Sequence, residues 1–283
     1  MQINVSDKLQ TMFSLEGKVA AITGAGGVLF DAVARGLGQL GVKVASLAHL
    51  RLNEAQKTAD EIKAAGGAAM AAEIDVLKPE SVAKAKDAVL ARFSRVDILI
   101  NGAGGNHPKA VTKQEEGLYF PDLSVDGIRF TFDLNIMGTV IPSMIFGKVM
   151  IQQGAGVIIN TSSMSADIPL SRVLAYSAAK AGVSNFTKWL AAYMAFNHSP
   201  KIRVNEIRPG FFPTLQNADL INKTPGTLTA SRGTDILGKT PMKRFGQPEE
   251  LVGAIVYLCS SAASFTTGSS IAIDGGFGSF SGV

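Results

Sequence analysis

The chain has 283 residues, of which 46% are hydrophobic and 18% are charged, and its formal net charge is +4. This composition predicts a folded globular protein with a sizeable core and excludes a disordered chain. The basic residues are scattered and form no run typical of nucleic-acid binding, although a mildly positive protein favours anionic ligands.

The single cysteine, Cys259, rules out a disulfide within the chain and fits a reducing compartment. It lies in the helical pattern 251–260, where a lone thiol is more often part of the core than a nucleophile. No apolar stretch reaches the roughly 18 residues that a membrane helix needs. The N-terminus lacks the basic-then-apolar order of a signal peptide. We therefore expect a cytoplasmic protein with neither membrane nor nucleic acid as a partner.

Short β-branched runs alternate along the chain with longer helical patterns. The predicted strands are Lys18–Thr23, Val42–Leu47, Ala68–Ile74, Val96–Ile100, Val157–Thr161, Ile202–Ile207 and Ser270–Ile273. The predicted helices lie near residues 27–40, 52–65, 79–93, 125–153, 175–198 and 248–261. This alternation predicts a Rossmann-type α/β fold, in which a doubly wound parallel sheet of about seven strands carries helices on both faces. The strands are apolar almost throughout, as expected when both faces are buried.

No repeat or linker divides the sequence, so residues 1–283 are predicted to form a single domain. Residues 211–245 break the alternation, since this segment is polar and rich in Thr, Gly and Pro and lies between the sixth and seventh strands. A loop of this length in a compact domain is usually functional. We interpret it as a lid over a substrate.

The first strand ends in a glycine-rich turn, Thr23 to Gly27, that opens a helix. Glycines at such a turn let a pyrophosphate approach backbone N–H groups at the positive end of the helix dipole. Tight packing alone also explains such turns, but the position at the first strand–helix connection favours a nucleotide. Asp75, at the end of the third strand, suits a hydrogen bond to an adenine amino group, and a capping or turn residue is the open alternative.

Ser163, Tyr176 and Lys180 form the strongest candidate for chemistry. Tyr176 and Lys180 are four residues apart and therefore lie on one face of a helix. A nearby ammonium group is predicted to lower the pKa of the phenol, which suits a general acid or base. Ser163 follows the strand 157–161, at the edge of the sheet where doubly wound folds bind ligands. The Tyr-x-x-x-Lys pair alone is common and also fits an incidental surface tyrosine.

In this order, the motifs resemble the short-chain dehydrogenase/reductase family over nearly the whole chain. The family's Asn-x-Ala-Gly stretch matches residues 101–104, DLNIMG contains Asn135, RPGFFPT spans 208–214, and TTGSSIAIDGG matches the last strand. The resemblance implies that a hydride moves between a nicotinamide cofactor, NADP or NAD, and a carbinol carbon. It also implies a homotetramer with contacts through the helices at 125–153 and 175–198 and the last strand.

The resemblance implies a catalytic set of Asn135, Ser163, Tyr176 and Lys180. In it the tyrosine exchanges the proton and the serine holds the substrate oxygen. The lysine lowers the tyrosine pKa and binds the nicotinamide ribose, and the asparagine anchors a water relay. The cofactor-binding residues implied are Thr23, Gly24, Gly26, Gly27, Val28, Leu29, His49, Arg51, Asp75, Val76, Asn101, Gly102, Ala103, Gly104, Tyr176, Lys180, Pro209, Gly210, Phe212 and Thr214. No metal is expected.

The sequence departs from the family pattern at two places. Val28 and Phe30 stand where the family turn has its second and third glycines, which puts close packing against Phe30 in question. The strand ending VASLAHLR lacks the acid that NAD-using members place against the adenosine 2′-hydroxyl, and Ala48 or His49 occupies that position. A 2′-phosphate is therefore admissible, with His49 or Arg51 as its partner, and we expect a slight preference for NADP. Alternatively, Arg51 only caps a solvated helix.

The segment GNHPKA (105–110) resembles the D-mannonate oxidoreductase (fructuronate reductase) branch of the family, as do SFSGV and GFFPTLQN. A sugar acid carries a carboxylate and several hydroxyls, which call for cationic and amide groups. The predicted substrate residues are Asn106, His107, Lys109, Ser163, Arg172, Gln216 and Asn217. A polyol, a gluconate-type acid or another carbonyl substrate stays open. A regulator that senses NAD(P)H without turnover is a further alternative, against which the intact catalytic set argues.

Overall fold

The computed structural model describes residues 5–214 and 228–280. The strands are β1 Val19–Thr23, β2 Lys43–Ala48, β3 Ala69–Glu73, β4 Ile98–Asn101, β5 Gly156–Thr161, β6 Ile202–Pro209 and β7 Ser270–Ile273. The helices are α1 Val5–Phe13, α2 Val28–Gln39, α3 Leu52–Ala64, α4 Pro79–Phe93, α5 Val125–Phe132, α6 Gly138–Gln153, α7 Leu174–Asn197, α8 Leu228–Lys239 and α9 Glu250–Cys259. The strands form one parallel sheet in the order β3-β2-β1-β4-β5-β6-β7.

Both faces of the sheet are covered, which confirms the predicted fold. Ala20 and Ile22 of β1 pack in a cluster with α2, α3 and α9, whereas Val19 and Ala21 pack in a second cluster with α4, α6 and α7. These four residues are fully buried, which explains why the strand is apolar from Val19 to Ile22. The strand order reverses between β1 and β4, and a doubly wound sheet binds ligands at the carboxyl ends beside such a reversal.

The predicted helix at 125–153 consists of α5, a π-helical turn at Asp133–Met137 and α6. An 18-residue window of this stretch has a mean hydropathy of 1.5 and passes as a membrane span by length and composition, so the expectation that no stretch is long enough was wrong. However, 56% of its apolar window is buried within the fold, where α6 packs on the sheet through Phe146 and Met150. It has the character of a core helix.

Two helices were not predicted. One is α1, and the other is α8, which lies inside the polar segment that we interpret as a lid. Residues 215–227 of that segment, including Gln216 and Asn217, lie outside the described residues, so the lid stays a prediction. The sequence of α8 contains two glycines and three Thr or Ser residues, which are weak helix formers. Its Ile236 is nonetheless buried, and packing of this kind sustains helices whose propensity is low.

Candidate active site

The turn after β1 and the loop after β4 lie in direct contact. The Thr23 hydroxyl accepts hydrogen bonds from the backbone N–H groups of Gly102 and Ala103 at 3.1 and 3.2 Å. Gly24 has a φ of +71°, and a Cβ there would lie 2.8 Å from the Ala103 nitrogen. A Cβ at Gly26 would lie 2.4 Å from the Arg51 carbonyl oxygen. Bare backbone is therefore required at both glycines, and three loops meet at the carboxyl edge of the sheet.

The packing of Phe30 resolves the first departure from the family pattern. Phe30 is 4% exposed, and a Cβ at Gly102 would lie 2.5 Å from its ring. The ring thus occupies space that a side chain at position 102 would need. Close contact between α2 and the loop after β4 is retained, with the aromatic ring on the helix and the glycine on the loop.

The first turn of α2 fits an anion such as a pyrophosphate. Its N-cap, Gly27, provides no side-chain cap for the backbone N–H groups of this turn, which includes Val28 and Leu29. Uncapped N–H groups and the helix dipole together favour negative charge. Asp31 also lies in this turn, but Arg35 donates to its carboxylate at 3.0 and 3.2 Å. That ion pair offsets the one acid that would oppose a bound phosphate here.

At the end of β2, the two candidates for the adenosine contact differ in their exposure to solvent. Ala48 is the last strand residue and is 3% exposed, whereas His49 is half-exposed just beyond it. Arg51 Nη1 donates to the Gly26 carbonyl at 3.4 Å, so this arginine lies over the glycine turn. His49 Nδ1 is 3.5 Å from a carboxylate oxygen of Glu73. Sequence reasoning missed Glu73, although the parallel pairing of β2 with β3 places it opposite Ala48.

Asp75 is engaged in a turn. Its carboxylate accepts from the Leu77 N–H at 3.1 Å and lies 3.0 Å from Lys78 Nζ. Burial alone would raise the pKa of Asp75, but these two donors lower it below its ordinary value. The alternative of a turn residue is therefore confirmed, and the adenine contact stays a prediction. Val76 is buried and packs against Gly138.

Two predicted cofactor residues place their side chains in the core. Asn101 is 1% exposed, and its amide donates to Ser143 Oγ at 2.9 Å and to Asn160 Oδ1 at 2.8 Å. Phe212 is 3% exposed and belongs to the apolar cluster on the α2 face. Both side chains join elements of the fold, and cofactor binding by these two residues stays a prediction. Pro209, Gly210 and Thr214 lie at the end of β6 and in the loop that follows.

Three predicted residues converge beyond β4. Gly104 is exposed, and a Cβ there would lie 2.8 Å from Asn135 Oδ1 and 3.3 Å from Lys180 Nζ. The Asn135 amide donates to the carbonyls of Gly105 at 2.7 Å and Thr131 at 2.8 Å. Asn135 lies in the π-helical turn, a feature frequent at functional sites. The glycine loop thus leaves open a space bordered by an amide oxygen and an ammonium group.

The second half of the set lies on β5 and α7. Ser163 is 6% exposed and caps the short helical turn Met164–Ala166 through the Ser165 N–H at 3.1 Å. Tyr176 is in the first turn of α7 and is half-buried. Burial raises the pKa of Tyr176, and its hydrogen bond with Ser163 opposes this effect. The expectation of a lowered tyrosine pKa is therefore not met here, and the phenol is protonated at neutral pH.

The ammonium group of Lys180 is hydrogen-bonded to the end of β5. Its Nζ is 5.4 Å from the centroid of the Tyr176 ring and donates to the Thr161 carbonyl at 2.7 Å. Burial lowers the pKa of Lys180 to about 8, and the buried carboxylate of Glu206 opposes the shift. The ammonium group therefore loses its proton near pH 8, within the pH range in which enzyme activity can be measured.

His107 and Asn106 border the same loop. His107 Nδ1 accepts the Lys109 N–H at 3.2 Å, and its ring packs edge-on to Phe130 at 5.5 Å between centroids. Because Nδ1 is an acceptor, the ring proton of the neutral form resides on Nε2. Asn106 Oδ1 is buried and has no hydrogen-bond partner among the described residues. The side chain of Lys109 is exposed.

The predicted substrate residue Arg172 is already paired. Its Nη1 donates to Glu115 Oε1 at 2.6 Å, and the two side chains are 28% and 25% exposed. Arg208 is structural, because it donates to Glu206 at 2.7 Å and bonds to Asp167. Cys259 is buried, which raises the pKa of its thiol to about 12. Within residues 5–214 and 228–280, no three His, Cys, Asp or Glu side chains cluster as a metal site would require.

Comparison with known proteins adds independent information. The family model described as enoyl-(acyl carrier protein) reductase matches residues 30–278. An uncharacterized oxidoreductase of Bacillus subtilis is 46% identical over 95% of this chain and 98% of its own length. A solved structure from Haemophilus influenza, provisionally named a D-mannonate oxidoreductase and carrying bound NAD, is 42% identical with a TM-score of 0.88. It covers 95% of this chain and 98% of its own.

A further structure is that of a gluconate 5-dehydrogenase from Burkholderia cenocepacia in complex with NADP and tartrate. It is 29% identical, with a TM-score of 0.84, over 96% of this chain and 99% of its own. The sheet, the glycine turn and the residues around Gly104 thus occur in a chain whose relatives include both NAD-bound and NADP-bound structures.

Proposed function

Because this chain belongs to the short-chain dehydrogenase/reductase family, whose members are oxidoreductases that use a nicotinamide cofactor, we propose that it interconverts a keto sugar acid and its hydroxy acid. D-fructuronate and D-mannonate are the first candidates. The observation that carries the proposal is the convergence of Gly104, Asn135 and Lys180 beside the pair Ser163 and Tyr176. The substrate class is supported by the likeness to the Haemophilus and Burkholderia structures.

The residues of this site divide the chemistry between them. A bound nicotinamide supplies the hydride for reduction of the carbonyl carbon. Ser163 donates a hydrogen bond to the carbonyl oxygen, and Tyr176, protonated at neutral pH, gives that oxygen its proton. Lys180 lies over the Tyr176 ring and favours the phenolate that this transfer leaves. Asn135 holds the Gly105 backbone and thereby the loop that borders the site.

A substrate panel tests the proposal. The purified protein is incubated with NADPH or NADH and D-fructuronate, 5-keto-D-gluconate, a neutral ketose and a simple ketone, and cofactor oxidation is followed. We expect turnover of the keto acids, with D-fructuronate preferred. Faster turnover of 5-keto-D-gluconate would favour the gluconate alternative, and preference for the neutral compounds would contradict a sugar acid. Measurable cofactor binding without turnover of any compound would favour the regulator.

The pH dependence should report Lys180. Its pKa of about 8 is a lowered value, so the ammonium is charged below this pH and loses its proton above it. We expect kcat/KM for reduction to fall as the pH rises through about 8. Glu206→Gln removes the carboxylate that raises this pKa and should move the fall to lower pH. The exposed Glu249→Gln should leave the profile unchanged, and a profile flat to pH 10 would contradict the assignment.

For the cofactor, we propose a modest preference for NADP(H). No acid follows β2, and His49 and Arg51 are near the predicted position of the 2′-phosphate. A charge-assisted contact is worth about 1.5–3 kcal/mol, or roughly tenfold to a hundredfold in affinity, and salt should weaken it. The measurement is kcat/KM for NADPH and NADH with one substrate. His49→Asp should shift the ratio towards NADH, and Lys57→Gln, an exposed change on α3, should not. A ratio that favours NADH in the wild type would contradict the proposal.

We further propose that the protein is a cytoplasmic homotetramer. The aromatic side chains of Trp189 and Tyr193 on α7 stack at 5.0 Å and are 58% and 40% exposed, and Phe196 is 88% exposed. Exposed aromatic groups on one helix are typical of a surface that another subunit covers. Light scattering should give the tetramer mass at micromolar concentration, and Trp189→Glu should lower it. A monomer mass for the wild type would contradict the proposal.

A further inference from the structure

Two arginines and one glutamate form a cluster, and one of the arginines, Arg232, lines a cavity. Arg172 and Glu115 form the partly buried ion pair described above. Arg232, on α8, is electrostatically coupled to both, since Arg172 lowers its pKa further and Glu115 opposes the shift, while burial is the largest cause of the lowering. Asp235, also on α8, raises the pKa of Arg232 as well, so the two guanidinium groups face two carboxylates. None of the sequence motifs identified Arg232.

Arg232 has an unsatisfied donor. The residue is half-buried, and its Nε–H is inaccessible to water and has no acceptor among the described residues. A buried donor on a charged group without an acceptor costs on the order of 1–3 kcal/mol or more. Such a group is commonly satisfied by a ligand, and guanidinium groups prefer the two oxygens of a carboxylate. The nearby Asp235 is exposed and on the same helix.

The cavity next to Arg232 extends to the segment between Ser163 and Tyr176. It has a volume of about 350 Å³ and is lined by Arg232, Asp235 and Lys239 of α8. Phe211 and residues 168–171 also line it. Those four residues belong to the segment that connects Ser163 with Tyr176. An acid bound at Arg232 would therefore lie against the segment between Ser163 and Tyr176, whose hydroxyl groups take part in the reaction.

We propose that Arg232 binds the carboxylate of the acid substrate, and that Arg172, paired with Glu115, borders this anion site. Arg232 thereby determines the preference for sugar acids over neutral sugars. This inference rests on the proposed function, because it names the group that recognises the acid in the same site. Arg172 donates to Glu115, whereas the Nε–H of Arg232 has no acceptor among the described residues and is the donor that the substrate carboxylate would satisfy.

Kinetics of Arg232→Gln test the inference. For a keto sugar acid we expect KM to rise and kcat/KM to fall about tenfold to a hundredfold, the loss of one charge-assisted contact. For the neutral ketose with the same carbonyl position, kcat/KM should stay unchanged. Arg232→Lys should restore part of the activity. Arg92→Gln, which removes an exposed arginine from α4, is the matched control. Equal losses on acid and neutral substrates would overturn the inference.

Binding of D-gluconate provides a second readout that does not depend on turnover. Calorimetry with the wild type in the presence of NADP should show binding, weakened at least tenfold in Arg232→Gln, whereas D-glucitol should bind both proteins equally. If no keto acid is reduced but gluconate binding still requires Arg232, the proposed function fails and the anion site stands. If gluconate binds both proteins equally, or does not bind the wild type, the anion site is refuted.

Discussion

Tyr176→Phe is expected to reduce kcat by about 10² to 10⁴-fold, the usual contribution of a general acid. The change removes only the phenolic oxygen and leaves the ring over which Lys180 Nζ lies at 5.4 Å. The affinity for the cofactor should therefore be almost unchanged. Steady-state kinetics with a keto acid give the first quantity, and fluorescence titration with NADPH or NADH gives the second.

The tyrosine on the same helix, Tyr193, provides the control. It is 40% exposed and stacks on Trp189. Tyr193→Phe should therefore retain full activity when it has the same oligomeric state as the wild type. A Tyr176→Phe protein that keeps most of its activity would show that another group transfers the proton. In that case Ser163, which is hydrogen-bonded to the phenol, becomes the first candidate.

Lys180→Ala is expected to damage both chemistry and cofactor binding. Lys180 is 3% exposed, lies near the space beyond Gly104 and donates to the Thr161 carbonyl at 2.7 Å. Its loss removes the cation that favours the phenolate and a predicted contact to the nicotinamide ribose. We expect kcat to fall by about 10² to 10⁴-fold and cofactor affinity to fall roughly tenfold to a hundredfold.

Lys180→Ala and Tyr176→Phe are expected to differ in their affinity for the cofactor. Cofactor affinity should be lost in Lys180→Ala and kept in Tyr176→Phe, and this contrast separates a binding role from a proton-transfer role. Lys188→Ala, an exposed lysine on the same helix, controls for the loss of charge. Circular dichroism and thermal unfolding identify a variant that fails to fold. Unchanged cofactor affinity in a folded Lys180→Ala protein would refute the ribose contact.

The sequence was informative where a single physical requirement, such as burial or close backbone approach, acts on residues that are near one another in the chain. The strands could be predicted because burial on both faces requires apolar residues at every position, as in β1. The glycines at 24, 26 and 104 were recognisable because a close approach excludes any side chain. The pair Tyr176 and Lys180 was recognisable because the helix repeat brings residues four apart together.

What sequence reasoning missed depends on neighbours that are distant along the chain. The pKa of Tyr176 was predicted to fall, but burial by several elements raises it. Asn101 fits the motif, but the motif did not indicate that its amide joins β4 to α6 and β5. Arg232 lies in a segment without a hydrophobic repeat, so neither its helix nor its neighbour Glu115 could be inferred. Only the folded chain brings Arg232, Arg172 and Glu115 into one cluster.

The wide turn at Asp133–Met137 implies a trade-off between stability and activity. A π turn holds one residue more than an α-helix needs, and an uninterrupted α-helix is the more favourable local form. Deleting one residue from this turn would let α5 and α6 merge into a single regular helix. It would also rotate Asn135 away from the Gly105 carbonyl, which it now reaches at 2.7 Å. Selection for heat resistance alone would thus tend to straighten this helix, and the cost would fall on catalysis.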